Sequence, residues 1–237
     1  MVDFPKRPKG VNVNAAADRG WGSGWPRCQE SKQTRIKLDN GVRIQVRREL
    51  GPLLTMLLNE VGRRGYRIRQ GDTGGFCCRQ IFRSDGTPTG KPSNHSWGLA
   101  VDINWDSNKF QKTLKTNLPP WSVSLMWAYG FFWGGWYNGT KDAMHFEFVK
   151  TPQQAEKLTR VLARTLQKSP GGLLEGDVFN PYFVKVKNKP AVFIVTTGGV
   201  SHVKNPTHMK FLIKGGVSET ITFVTEQEMR ELTVPEP

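Results

Sequence analysis

Ser93-Asn94-His95-Ser96-Trp97-Gly98-Leu99-Ala100-Val101-Asp102, followed later by Asp142-Ala143-Met144-His145, decides how this chain is read. The two segments supply two imidazoles and one carboxylate for a metal, with a second carboxylate close by. Three protein ligands and a fourth position left for water make up a catalytic zinc site, whereas structural zinc sites are closed, usually by thiolates. His95 and Asp102 lie seven residues apart. On a straight strand an odd spacing puts two side chains on opposite faces. The chain must therefore turn between them, and Gly98 allows that turn. His95 then sits on a loop and Asp102 on the strand that follows, with Val101 and Ile103 packing away from the metal. In Met144-His145-Phe146-Glu147-Phe148, His145 and Glu147 share one strand face and the apolar residues the other. Glu147 reads equally well as exposed or as touching the site.

Zinc held in this way lowers the pKa of its water to about 7. A hydrolase also needs a base to take that water's proton and pass it on to the leaving group. Asp142, three residues before His145, is near enough to face the metal and is the candidate base. A fixed positive group must meet the developing oxyanion. Arg79 is the first candidate and Arg83 the reserve. Ser93 is expected to hydrogen-bond within the cleft, since no base is spaced to make it a nucleophile. Trp133, in the glycine-aromatic run Phe131 to Trp136, is a substrate-binding candidate, although such a run suits a core equally well. His202 and His208 are expected to face solvent.

The rest of the composition narrows the class. The chain has 237 residues, 37% hydrophobic and 23% charged, as expected of a globular protein with one sizeable core or a core plus a small module. No apolar run reaches the eighteen residues of a membrane span. The N-terminus lacks the apolar segment of a secretory signal, so synthesis in the cytoplasm is expected. Cys28, Cys77 and Cys78 are too few for a disulfide framework and lack CxxC spacing, and they read as reduced thiols. The net charge is +14. Residues 171–237 carry seven basic and seven acidic side chains, leaving 27 of the 34 basic and 13 of the 20 acidic groups in residues 1–170. Such a surface attracts polyanions. An anionic wall polymer fits. Nucleic acid is not expected, because no aromatic-basic recognition motif accompanies the charge.

Along the chain, residues 1–30 read as an extended arm anchored by Trp21 and Trp25. Asp39-Asn40-Gly41 between alternating apolar residues predicts a hairpin over 34–48. The 3- and 4-residue spacings of Leu50, Leu53, Leu54, Leu57, Leu58 and Val61 predict a helix over 49–64, stopped at Gly65. A short strand is expected at 66–69, helices at 121–129 and 151–167, and a loop at 131–136. Residues 169–180 read as a linker. The small α+β module at 181–237 is expected to hold strands at 182–187, 191–197, 200–203 and 220–224 and helices after Asn205 and Thr225. Its two halves match weakly at a 20-residue offset.

The pattern Ser93, His95, Gly98, Ala100 and Asp102, then Asp142 and His145, resembles the signature of zinc D-alanyl-D-alanine carboxypeptidases and L-alanyl-D-glutamate endopeptidases. These share a fold with the Hedgehog signalling domain. The string from Ser93 to Trp105 looks especially like lysins of bacteriophages that infect actinobacteria. The resemblance covers roughly residues 20–165. It implies an α+β domain over 1–168, an antiparallel sheet flanked by helices. It implies one zinc ion on His95, Asp102 and His145, with Asp142 as base and Arg79 steadying the substrate or transition state. Activity on peptidoglycan peptides is expected, by a monomer made in a host cytoplasm and released by holin-type export to act on the wall. The small C-terminal module would bind a wall component, by analogy alone. The alternatives are a zinc-containing wall-binding protein of the same fold that does not cut, and a non-haem iron oxygenase. The oxygenases also use two histidines and a carboxylate, but with a tighter His-x-Asp first pair.

Overall fold

The computed structural model describes residues 4–83 and 85–168, and strands at 182–186, 192–196, 199–202 and 221–224. The chain divides into two compact units, Met1–Leu173 and Leu174–Pro237. Both antiparallel sheet and helix are present, so the class is α+β. No helix among the described residues is long and apolar enough to cross a membrane.

In the first unit, β1 (Gln33–Lys37) and β2 (Arg43–Arg47) pair antiparallel around the Asp39-Asn40-Gly41 turn. Gly41 has φ +90°, a left-handed conformation that glycine adopts without strain. Helix α1 (Gly51–Arg63) follows a short 3-10 turn, and Leu50, Leu53, Leu54, Leu57, Leu58 and Val61 are all buried. Burying each leucine contributes roughly 1.5–3 kcal/mol, and this row ties the hairpin to the rest of the unit. Helices α2 (Pro120–Ala128) and α3 (Pro152–Lys168) both begin at proline, whose fixed φ and missing N–H suit a first turn.

The central sheet has three strands in the order β5 (Ala100–Asp102), β9 (His145–Phe148), β7 (Phe131–Trp133), all antiparallel neighbours. The register sets Asp102 opposite His145, Ala100 opposite Glu147 and Val101 opposite Phe146. On the other side Trp133 faces Phe146 and Phe131 faces Phe148. One face thus carries Asp102, His145 and Glu147 with Ala100 and Phe132, and the other carries Val101, Phe131, Trp133, Phe146 and Phe148. Two-stranded ribbons flank it: β3 (Gln80–Phe82) with β4 (Pro88–Pro92), and β6 (Phe110–Gln111) with β8 (Lys141–Asp142).

Three local expectations are corrected. Residues 66–69 are not a strand. The side chain of Asn104 bonds the Arg67 carbonyl and the Arg69 amide, and Asn40 bonds the Ile68 carbonyl, so side chains take the place of a neighbouring strand. Residues 131–133 are a strand rather than a loop. Both faces of that strand are buried, so it shows no alternation. The cysteines are not all reduced: Cys28 and Cys78 form a disulfide across 50 residues, and only Cys77 is free and exposed. The arm folds back to make that contact. Trp97 Nε1 donates to the Gly22 carbonyl and the Trp25 amide to Ser96 Oγ, which brings Cys28 over the loop of Cys78. Closing a loop of this length contributes about 4 kcal/mol on the chain-entropy account.

The arm is not extended throughout: Ala17–Trp21 form a helical turn, and Trp25 is half-buried. Trp21 is fully buried and donates from its indole to the Lys150 carbonyl at 2.7 Å. In the second unit, β10 (Tyr182–Val186), β11 (Val192–Thr196), β12 (Gly199–His202) and β13 (Ile221–Val224) form one sheet in the order β12-β11-β10-β13. The β10–β13 pair is parallel. The expected linker, the helices after Asn205 and Thr225, and His208 lie outside the described residues.

Candidate metal centre

His95 lies in a 3-10 turn, Asn94–Trp97, that Ser93 caps by accepting the His95 amide on its hydroxyl. Gly98 ends the turn at φ +73°, and the chain then enters β5. A Cβ at Gly98 would collide with the Gln33 side chain and the Arg47 amide, so glycine is needed for both conformation and space. This is the turn that the odd spacing of His95 and Asp102 demanded. Asp102 is held on both sides: His145 lies opposite it on β9, and Gly74 forms an isolated bridge with it on the other edge.

The three side chains converge. His145 Nδ1 lies 2.8 Å from Asp102 Oδ1, His95 Nε2 lies 3.1 Å from Asp102 Oδ2, and the two ring nitrogens are 3.1 Å apart. One donor atom from each residue lies within 4.8 Å of the others. His95 and His145 are buried and Asp102 is partly so.

The far ring nitrogens show which atoms are free to bind. His95 Nδ1 is 2.5 Å from the Gly75 carbonyl, which only accepts, so this nitrogen carries a proton and Nε2 is the one turned inward. His145 Nε2 lies 3.5 Å from Glu147 Oε2, and Nδ1 is the one turned inward. Two ring nitrogens and a carboxylate aimed at one point become the donor set of a cation site once the inward nitrogens give up their protons, with the outer partners that orient metal-binding imidazoles. The residues therefore fit a bound metal ion.

Without an ion the charges compensate one another. Burial alone would lower His145, but its hydrogen bonds to Asp102 and Glu147 hold its pKa well above the usual histidine value. Burial would raise Asp102, yet the neighbouring His95 charge and the hydrogen bonds from both histidines bring it well below the usual carboxylate range. Asp142 differs. Burial pushes its carboxyl up to about 6 and the Asp102 charge adds to this, while His145, His95 and Arg79 pull it back. Its Oδ1 is buried without a hydrogen-bond partner. Gly134 makes room for this arrangement, since a Cβ there would strike the Asp142 carbonyl and the His145 side chain.

The other expected site residues divide. Arg79 is half-buried, donates to the adjacent Gln80 carbonyl at 3.4 Å, and acts electrostatically on Asp142. Arg83 is exposed on the β3–β4 hairpin and lines a cavity. Ser93 is buried and accepts the His95 amide on its hydroxyl. Trp133 is 1% exposed and donates to the Ala143 carbonyl, as the core reading of the aromatic run expects. Glu147 is buried, not exposed, and accepts from Asn94 and from the Tyr137 hydroxyl, both at 2.5 Å. Burial and that acceptor charge push the Tyr137 phenol well above 10. No spacing pattern singles out Tyr137, whose position depends on the turn after β7.

Residues 86–148 match the family model of D-alanyl-D-alanine carboxypeptidases. That match supports a peptidase, and the matched segment contains His95, Asp102, Asp142 and His145. It does not reach Arg79, Arg83, the disulfide or the arm. The α+β architecture is consistent with such a peptidase. Neither the curated proteins nor the solved structures gave a match to the chain.

Proposed function

We propose that this chain is a zinc metallopeptidase that hydrolyses peptide bonds of bacterial peptidoglycan and serves as a phage endolysin. The observation that carries the reading is the inward-facing trio of His95 Nε2, Asp102 and His145 Nδ1 beside a buried carboxylate oxygen that nothing in the fold occupies. His95, Asp102 and His145 would hold the ion. Bound zinc lowers the pKa of water to about 7 and polarises a carbonyl.

The chain's own residues supply the remaining chemistry. Asp142, ionised, accepts the proton of the attacking water at Oδ1 and returns it to the leaving nitrogen. Its elevated pKa keeps it basic enough for the first transfer and acidic enough for the second. Arg79 contributes positive charge on the side of Asp142, where the scissile carbonyl gains negative charge. The Gly75 carbonyl and Glu147 keep the two imidazoles from rotating.

Action outside the host cytoplasm is supported by the Cys28–Cys78 disulfide, since such bonds persist in oxidising surroundings. The basic excess of residues 1–170 would hold the chain near an anionic wall, an attraction that weakens with salt. The test is digestion of defined muropeptides by the zinc-loaded chain, with mass analysis of the fragments. The masses distinguish cleavage at D-Ala-D-Ala, L-Ala-D-Glu or a cross-bridge. Wall binding and full metal loading without any cleavage would favour the non-cutting alternative.

A further inference from the structure

A cavity of about 460 Å³ opens beside the metal centre, lined by Arg7, Arg83, Phe110, Tyr137, Asn138 and Thr140. Its charged groups are the two guanidiniums. Neither has a carboxylate within ion-pair distance among the described residues. Arg7 donates from Nη1 to Asn138 Oδ1 at 2.5 Å. Arg83 donates from Nη1 to Thr87 Oγ1 at 3.3 Å and to the Pro88 carbonyl at 3.4 Å, with the Asp85 charge acting at longer range. A guanidinium offers five N–H donors in a planar fork. Nη2 and Nε of both arginines therefore remain available, and that fork suits a bidentate anion.

The two arginines come from distant parts of the sequence. Arg83 sits on the β3–β4 hairpin. Arg7 is brought across by the arm, which docks through the Pro5 carbonyl on Trp136 Nε1 at 2.6 Å and through Phe4 against Trp133. Two of its lining residues adjoin the metal centre. The Tyr137 ring lies 6.2 Å from that of His145, and its hydroxyl bonds Glu147. Phe110 is the strand partner of Asp142. Its ring is 44% exposed, an apolar surface beside two cations.

We infer that this groove binds a free carboxylate of the peptide being cleaved, held between Arg7 and Arg83 with its aliphatic stem against Phe110. The inference rests on the proposed peptidase reading. The neighbourhood of Tyr137 to His145 and of Phe110 to Asp142 favours a carboxylate on the substrate over a separate phosphate polymer.

The test measures binding, so that it stands apart from hydrolysis. The full chain, stripped of metal with chelator, is titrated calorimetrically with a peptidoglycan stem pentapeptide and with versions amidated at each carboxyl in turn. Amidation of one particular carboxyl should weaken binding to the wild type about tenfold, the size of a lost charge-assisted hydrogen bond on a partly exposed site. Arg7→Ala and Arg83→Ala should each weaken the parent peptide similarly and leave that amidated peptide unchanged. Both side chains are exposed, so neither change threatens the fold. Arg83→Lys should restore little, because an ammonium lacks the fork. The inference is overturned if the wild type fails to bind the pentapeptide, if amidation has no effect, or if the variants weaken acid and amide forms equally. Intact discrimination in a chain that, reloaded with zinc, cleaves nothing would sink the peptidase reading and leave the groove standing.

Discussion

The centre of the sheet and the rim around it are built in opposite ways. Asp102 and His145 face each other across paired strands, and His95 stands on a capped turn that ends where β5 begins. Their positions follow from register and buried backing, so they are fixed to within a side-chain rotamer. Arg7, Arg79 and Arg83 come from the arm, a loop and a hairpin, and the Cys28–Cys78 disulfide joins arm to loop. The sheet makes the candidate metal centre rigid, while long-range contacts assemble the rim to which the proposed function assigns the substrate. A rigid centre with a separately assembled rim lets specificity change without disturbing the chemistry.

That contrast predicts a descending series of effects. Removing a ligand should do the most: His95→Ala or His145→Ala should abolish stoichiometric zinc binding and all peptidase activity, read by metal analysis and muropeptide digestion. Asp142→Ala should keep zinc and lose about 10² to 10⁴ in rate, the usual contribution of a general base. Near-normal turnover by that variant would remove Asp142 from the mechanism. Since Asp142 must be ionised to accept a proton, and its carboxyl titrates at about 6, kcat/KM should fall as pH drops below that value. In Asp142→Asn the residual activity should lack this acid limb, and a limb that survives must belong to another group.

Smaller effects come from residues that orient or tether. Glu147→Gln should lower zinc affinity about 10- to 100-fold, as loss of an outer partner of a metal-binding histidine does. Unchanged affinity would mean that Glu147 does not set the His145 ring. Cys28→Ser should cost up to about 4 kcal/mol of unfolding free energy in denaturant titrations and leave zinc affinity nearly unchanged. If zinc binding collapsed with the disulfide, the separation of centre from rim would be wrong.

The same division explains what could be read in the sequence. The convergence of His95, Asp102 and His145 is legible because a strand and a turn translate short spacings directly into geometry. Helix α1 was legible from the spacing of its leucines. Strand β7 was not, because Phe131, Phe132 and Trp133 are buried on both faces and show no alternation. The β3–β4 ribbon was missed because Pro88, Gly90 and Pro92 carry turn signals rather than strand signals. The disulfide, Arg7 and Tyr137 depend on contacts between distant segments, which local spacing does not encode. Ser93 and Trp133 are of the right kind for a cleft, and burial and structural hydrogen bonds, which residue type does not reveal, engage both. The helices expected after Asn205 and Thr225 fall outside the described residues.

Zinc titration of the purified chain, followed by X-ray absorption at the zinc edge, addresses the metal centre most directly. One ion per chain with two imidazole nitrogens and one carboxylate oxygen is the expected outcome, lost in His145→Ala and retained in Asp142→Ala. An ion bound through sulfur, or no binding by a correctly folded wild type, would contradict it.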